Sequence, residues 1–175
     1  MNLYKKFFFI LFFLILYNNS IKAEDKVSFI DIDYILTNSI AGKKLLTSLK
    51  KDEELRINTF KIEEGNFEEE QSKILAKKNL ISKEEINNEL KLLNNKFQKY
   101  NKEKINEIDE FKKKRNRNIV NFLNLINPII EKYMKDNSIY MLIDKKNIFI
   151  ANKDYDITNN LIELIDKQIK NIEIN

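Results

Sequence analysis

Residues 82–136 read SKEEINNELKLLNNKFQKYNKEKINEIDEFKKKRNRNIVNFLNLINPIIEKYMKD. Ile86, Leu90, Leu93, Phe97, Tyr100, Lys104, Ile108, Phe111, Arg115, Ile119, Phe122, Ile126, Ile129 with Ile130, and Tyr133 follow one another in steps of three and four. The mean step is about 3.6 residues, the period of an α-helix. Ser82 with Glu85 three residues later is a capping box, which starts a helix. At about 1.5 Å per residue the helix would be about 80 Å long. The first steps are heptad-like, and the spacing then lengthens across Tyr100, Phe111 and Phe122, which unwinds a left-handed supercoil towards straight helices. Pro128 inside the run predicts a kink or a break.

Upstream, residues 44–78 carry a second helical stripe through Leu45 with Leu46, Leu49, Arg56 with Ile57, Phe60, Phe67 and Ile74, interrupted by Glu53, Glu64 and Gln71. Gly65 costs about 1 kcal/mol relative to Ala at mid-helix and marks a candidate bend. The short link at residues 79–81 makes the two helices antiparallel neighbours, an αα-hairpin. A two-helix hairpin of this length has no globular core, so it must project as an arm or pair with other arms.

The two ends of the chain change period. Residues 26–33, KVSFIDID, read as one strand with Val27, Phe29, Ile30 and Ile32 as its apolar set. Residues 138–144 (SIYMLID), with Tyr140, Leu142 and Ile143, read as a second strand. Residues 145–147 are a turn, and 148–151 (Ile148, Phe149, Ile150, Ala151) a third strand, so the last two form an expected hairpin. Thr158 is the expected N-cap of a final amphipathic helix. Three short strands and one small helix are too little core to stand alone, and their open edges need cover. A homo-oligomer whose strands complete a shared sheet resolves both problems.

The chain has 175 residues, with no His, no Cys, two Gly and one Pro. These counts exclude His- and Cys-based catalysis, zinc fingers and Gly-rich phosphate loops. No catalytic residue, metal site or cofactor is expected. Residues 1–6 carry two lysines, residues 7–17 are unbroken apolar chain, and a polar stretch ends in Ile21, Lys22 and Ala23. That is a secretory signal peptide with cleavage expected between Ala23 and Glu24. The apolar run is short for a membrane span of about 20 residues. Cleavage removes three lysines and no acids, leaving 28 basic against 27 acidic residues, a charge of +1. The basic excess lies in residues 43–127. Its densest run is Lys112, Lys113, Lys114, Arg115 and Arg117. With Glu107, Asp109 and Glu110 one turn away it reads as a solvated helix face, not as a nucleic-acid site; attraction to anionic clients or an anionic lipid surface is the sharper alternative. The carboxylate runs at Glu63 and Glu64, at residues 68–70 and at Glu84 and Glu85 sit on the same solvated hairpin.

Leader, strand, long helical hairpin, strand hairpin and final helix together resemble the Skp/OmpH family of periplasmic chaperones. The resemblance is carried by residues 27–33 with Ile35 and Leu36, by Ser39, Ile40, Ala41, Gly42 and Lys43, by the two C-terminal strands, and by Asp156, Ile157 and Thr158 followed by Leu161, Ile162 and Leu164. It implies a mostly α fold with a small β part. Residues 24–43 and 128–175 would form a strand-containing oligomerisation body, completed by trimerisation. Residues 44–127 would form the arm. It implies an ATP-independent periplasmic holdase and no enzyme: unfolded outer-membrane β-barrel proteins would be held in a cavity between three arms. The better-known members are strongly basic, and this chain after cleavage is not. On the arms, Phe60, Phe67, Ile74, Leu80, Ile81, Phe97 and Tyr100 are the candidate client-binding residues. The competing readings are a structural or adapter coiled-coil protein of the cell envelope and a membrane-anchored scaffold that retains its leader.

Overall fold

The computed structural model describes residues 26–169; the expected leader and its cleavage point lie outside them. The first strand, β1 (Lys26–Ile30), is shorter than its sequence suggests. Asp31 ends it: its carboxylate accepts from the Tyr34 backbone N–H at 2.8 Å and caps a helix of about two turns, α1 (Ile32–Asn38). Ile32 therefore belongs to a helix and not to the strand. Ser39 then separates α1 from α2 (Ile40–Ala76), and its hydroxyl accepts from the Gly42 N–H at 3.1 Å. The second helix thus begins four residues before its expected start, because the Ser39 cap satisfies one of its otherwise unpaired donors.

A 3₁₀ turn (Lys77–Asn79) leads to Ser82 and α3 (Lys83–Asp136), a single helix of 54 residues. The capping box forms in both directions, Glu85 N–H to the Ser82 hydroxyl and Ser82 N–H to the Glu85 carboxylate. Pro128 does not end this helix. Pro128 and Asn124 both lie on its exposed side, where water can satisfy the carbonyl that proline's missing N–H leaves open. Ile126, Ile129 and Ile130 on the other side are buried and hold the turn in place. Ser138, in the left-handed region with φ 55°, reverses the chain after α3.

The strand that follows, β2 (Ile139–Asp144), pairs in parallel with β1, Phe29 opposite Ile143. Parallel strands need a long crossover, and here the whole helical hairpin supplies it. The expected C-terminal strand hairpin does not form. Residues 145–147 make a 3₁₀ turn, and residues 148–151 lie in no strand, although Ile148 is extended. Apolar alternation gives a segment strand propensity, but a strand also needs a neighbour to bond. The last helix, α4 (Thr158–Gln168), has Ile157 at its N-cap position and Thr158 as its first residue, so Thr158 is not the cap. Asp156 accepts from the Thr158 N–H at 3.0 Å, and Thr158 Oγ1 accepts from the Asp31 N–H at 2.9 Å. That relay ties α4 to the end of β1, alongside the bond from the Ile157 N–H to the Phe29 carbonyl.

One core cluster holds the ends of the chain together. Ile35, Leu45, Phe122, Ile126, Leu161 and Ile165 are fully or almost fully buried in it. The core therefore reaches into the bases of both long helices. The Ile40 N–H donates to the Asp166 carboxylate at 2.7 Å, placing an acid at the N-terminus of α2 where the helix dipole favours one.

Burial pulls the Asp156 pKa upward, but hydrogen bonds from Thr158 and Lys145 outweigh it and hold the group below the usual carboxylate range. Unfolding returns it to its ordinary value of about 3.9. Its stabilising contribution is therefore complete above that value and lost as pH falls through the lower folded-state pKa. Melting temperature should fall as pH drops below about 4, and Asp156→Asn should show a shallower fall. An unchanged slope in thermal melts of the variant would contradict this role.

Candidate functional site

The arm is built by packing the stripes of α2 and α3 against each other. Four ion pairs cross between the helices, Asp52 with Lys114, Arg56 with Glu107, Glu64 with Lys104 and Glu70 with Lys96, and a fifth, Lys77 with Glu89, ties the 3₁₀ turn to α3. All are partly exposed, so each contributes about 1 kcal/mol or less. Their value is in setting the antiparallel register along a seam that has few large apolar contacts.

Most of the candidate client-binding residues lie inside that seam. Phe60, Ile74 and Tyr100 are buried. Phe67 and Phe97 are half-buried, with ring centroids 5.3 Å apart and planes at 76°, an edge-to-face pair, and Phe67 is 5.3 Å from the Tyr100 ring. The Tyr100 hydroxyl donates to the Phe60 carbonyl at 3.3 Å. Burial, followed by the charge of Glu64, pushes its pKa up, so it stays a donor. Near the tip, Ile74, Ile86 and Leu93 form a second small core, against which Ile81 packs. Of the seven residues, Leu80 alone projects freely, at 82% exposure.

Much of the arm's exposed apolar surface comes instead from positions off the stripe, among them Leu55, Ile62, Leu92, Ile105 and Val120, while Ile57 and Ile108 on the stripe are exposed as well. Leu55, Ile62, Leu92 and Ile105 each have a Lys, Arg or Glu next to them in sequence, and Val120 has Arg117 one turn away. Leu55 and Ile62, seven residues apart, share one face of α2. Sequence reasoning passed over them because it followed the periodic stripe. The signal was the apolar residues the stripe did not use.

Gly65 sits on the exposed side of α2, and a Cβ there would meet nothing within 4 Å. Gly65→Ala should therefore stabilise the arm by about 0.5–1 kcal/mol. Thermal melts would show a raised midpoint, and a lowered one would mean that the glycine serves a strained geometry.

In the body, Phe29 and Ile30 are buried, Ile32, Leu142, Ile143 and Ile148 are half-buried, and Val27 is exposed. Tyr140 is 76% exposed, Ile150 85%, and Phe149 projects entirely into solvent. A monomeric soluble surface seldom concentrates such residues without covering them. Among the described residues no helix is long and apolar enough to cross a membrane.

A family model described as outer membrane protein (OmpH-like) matches residues 26–165. No curated protein sequence matches the chain. The crystal structure of a candidate outer membrane chaperone (OmpH-like) from Caulobacter crescentus CB15 superposes with a TM-score of 0.78 at 18% identity, over 85% of this chain and 88% of that one. At that identity the likeness establishes the fold, mostly helical with a small sheet. The matched span begins at the first residue of β1 and ends inside α4, taking in both strands and the whole arm, and on that match the chain belongs to the OmpH-like family.

Proposed function

We propose that the chain, cleaved between Ala23 and Glu24, is an ATP-independent holdase of the periplasm. It forms a homotrimer through residues 24–43 and 128–175, and its three arms, residues 44–127, enclose unfolded outer-membrane β-barrel proteins and keep them from aggregating. The observation that carries this reading is the distribution of apolar side chains on the arm. Leu55, Ile62, Leu80, Leu92, Ile105 and Val120 are exposed one by one among charges, a surface suited to grip greasy chain loosely at many points. Contacts of about 1 kcal/mol or less each, summed over many sites, give avidity with rapid local exchange. Release then needs no nucleotide, because insertion into a membrane lowers the client's free energy further. Family membership and the uncovered apolar residues of the body support the same reading.

The test is to dilute a urea-unfolded outer-membrane barrel protein into buffer with and without the processed chain and follow turbidity. Suppression at about one trimer per client is expected; unchanged turbidity would contradict the reading. Leu80→Asp should weaken that suppression severalfold without moving the melting curve, since Leu80 packs on nothing. Ile81→Asp is the poorer probe, because Ile81 belongs to the tip core. Undiminished suppression by Leu80→Asp would remove the tip from the gripping surface.

A further inference from the structure

A groove runs along one face of the arm, midway out. Its floor is Ile57 and Phe60 from α2 with Ile108 and Phe111 from α3. Lys104 Nζ lies 5.3 Å from the Phe60 ring centroid, and Arg56 Cζ lies 5.5 Å from that of Phe111. These two inner cations are already neutralised, Lys104 by Glu64 and Arg56 by Asp52 and Glu107. The rim is different. Lys61, Lys112 and Arg115 line the groove and make no salt bridge among the described residues, against one unbridged acid, Glu53. Lys112 and Arg115 sit one turn apart on α3, so both charges address the same edge. The next groove towards the tip also has an apolar floor, Phe67, Leu90, Leu93 and Phe97, but Glu64 and Glu68 edge it and no cation lines it. A third groove, close to the tip, is lined by Lys73, Lys77, Lys96 and Lys99, but each of these is bridged, to Glu69, Glu89, Glu70 and Glu103; the cations of the mid-arm rim differ in standing outside any salt bridge among the described residues, in a chain that is nearly neutral after cleavage.

We propose that the mid-arm groove docks extended client segments in which acidic residues alternate with large apolar ones. The apolar side chains would lie on Ile57, Phe60, Ile108 and Phe111, and the carboxylates would meet Lys61, Lys112 and Arg115. In an extended segment successive side chains point to opposite sides; one side can fill the floor while the other turns to the rim and solvent. Cations outside any salt bridge beside an apolar floor also favour encounter with acidic chain at low ionic strength. This inference rests on the holdase reading and adds to it a preference among client segments.

The test uses the processed wild-type chain and two dye-labelled eight-residue peptides, one alternating Asp with Phe and Leu, the other identical but with Lys for Asp. Anisotropy titrations should show the acidic peptide binding at least about tenfold more tightly at low salt, with the advantage shrinking in high salt. A Lys61→Gln, Lys112→Gln, Arg115→Gln triple variant should lose the preference, and Glu68→Gln should keep it. Equal binding of the two peptides, or a preference that survives the triple change, would overturn the proposal. So would rim-dependent binding to phosphatidylglycerol vesicles without any peptide preference, which would assign the groove to a lipid surface. The turbidity assay runs beside the titrations: suppression without peptide preference overturns the groove alone, whereas no suppression overturns the holdase reading itself.

Discussion

Gly42→Ala is expected to lower the stability of the body by about 3 kcal/mol or more. A Cβ on Gly42 would stand 2.0 Å from the Leu36 carbonyl oxygen, 2.7 Å from its carbon and 2.8 Å from the Ser39 hydroxyl. The first two are backbone atoms and cannot rotate aside. The corner between α1 and α2 would have to open, drawing Ile35 and Leu45 out of a core in which both are fully buried. The change would also displace the Ser39 cap from the Gly42 N–H. Urea unfolding at fixed protein concentration, followed by far-UV circular dichroism, should show a much lower midpoint. A midpoint equal to wild type would mean that the corner is looser than its geometry. The contrast with Gly65 is useful: the same substitution has opposite expected signs because one glycine faces a carbonyl and the other faces open solvent.

The second large effect concerns assembly. Phe149→Asp combined with Ile150→Asp should convert the proposed trimer into single chains and abolish the proposed client holding. Neither side chain packs within the single chain, at 103% and 85% exposure, so the fold of each subunit should survive. What changes is the outward face of a bend beside a two-stranded sheet. Such a sheet is marginal alone, and carboxylates at its rim oppose edge-to-edge pairing. Sedimentation should report one-chain mass with unchanged helical signal. An unchanged oligomer would show that residues 148–151 face solvent in the assembly too.

The helical hairpin was legible because its pattern is long. Many consecutive steps of three and four leave little room for another reading, and Ser82 with Glu85 marked a boundary that the structure keeps. Shorter elements were harder. Residues 31–33 alternate like strand, yet Asp31 is a helix cap, and a single hydrogen bond to Tyr34 decides between them. Residues 148–151 have strand composition, but composition does not supply a partner strand. The candidate site was legible in kind and largely not in position. A stripe at helical spacing identifies what packs on the partner helix, so Phe60, Ile74 and Tyr100 lie in the seam. Most of the free apolar residues were those outside the stripe, with Ile108 an exposed member of it. The mid-arm groove was not legible, because it depends on which Lys and Arg are already paired across the arm.

In the proposed assembly two small terminal segments merge between three copies, leaving arms free to enclose a client. The most direct measurement is the light-scattering mass of the processed wild-type chain, alone and after mixing with an unfolded outer-membrane barrel protein. The account predicts three chain masses alone and, on mixing, a soluble complex heavier by about one client. A single-chain mass, with the client lost to aggregation, would contradict it.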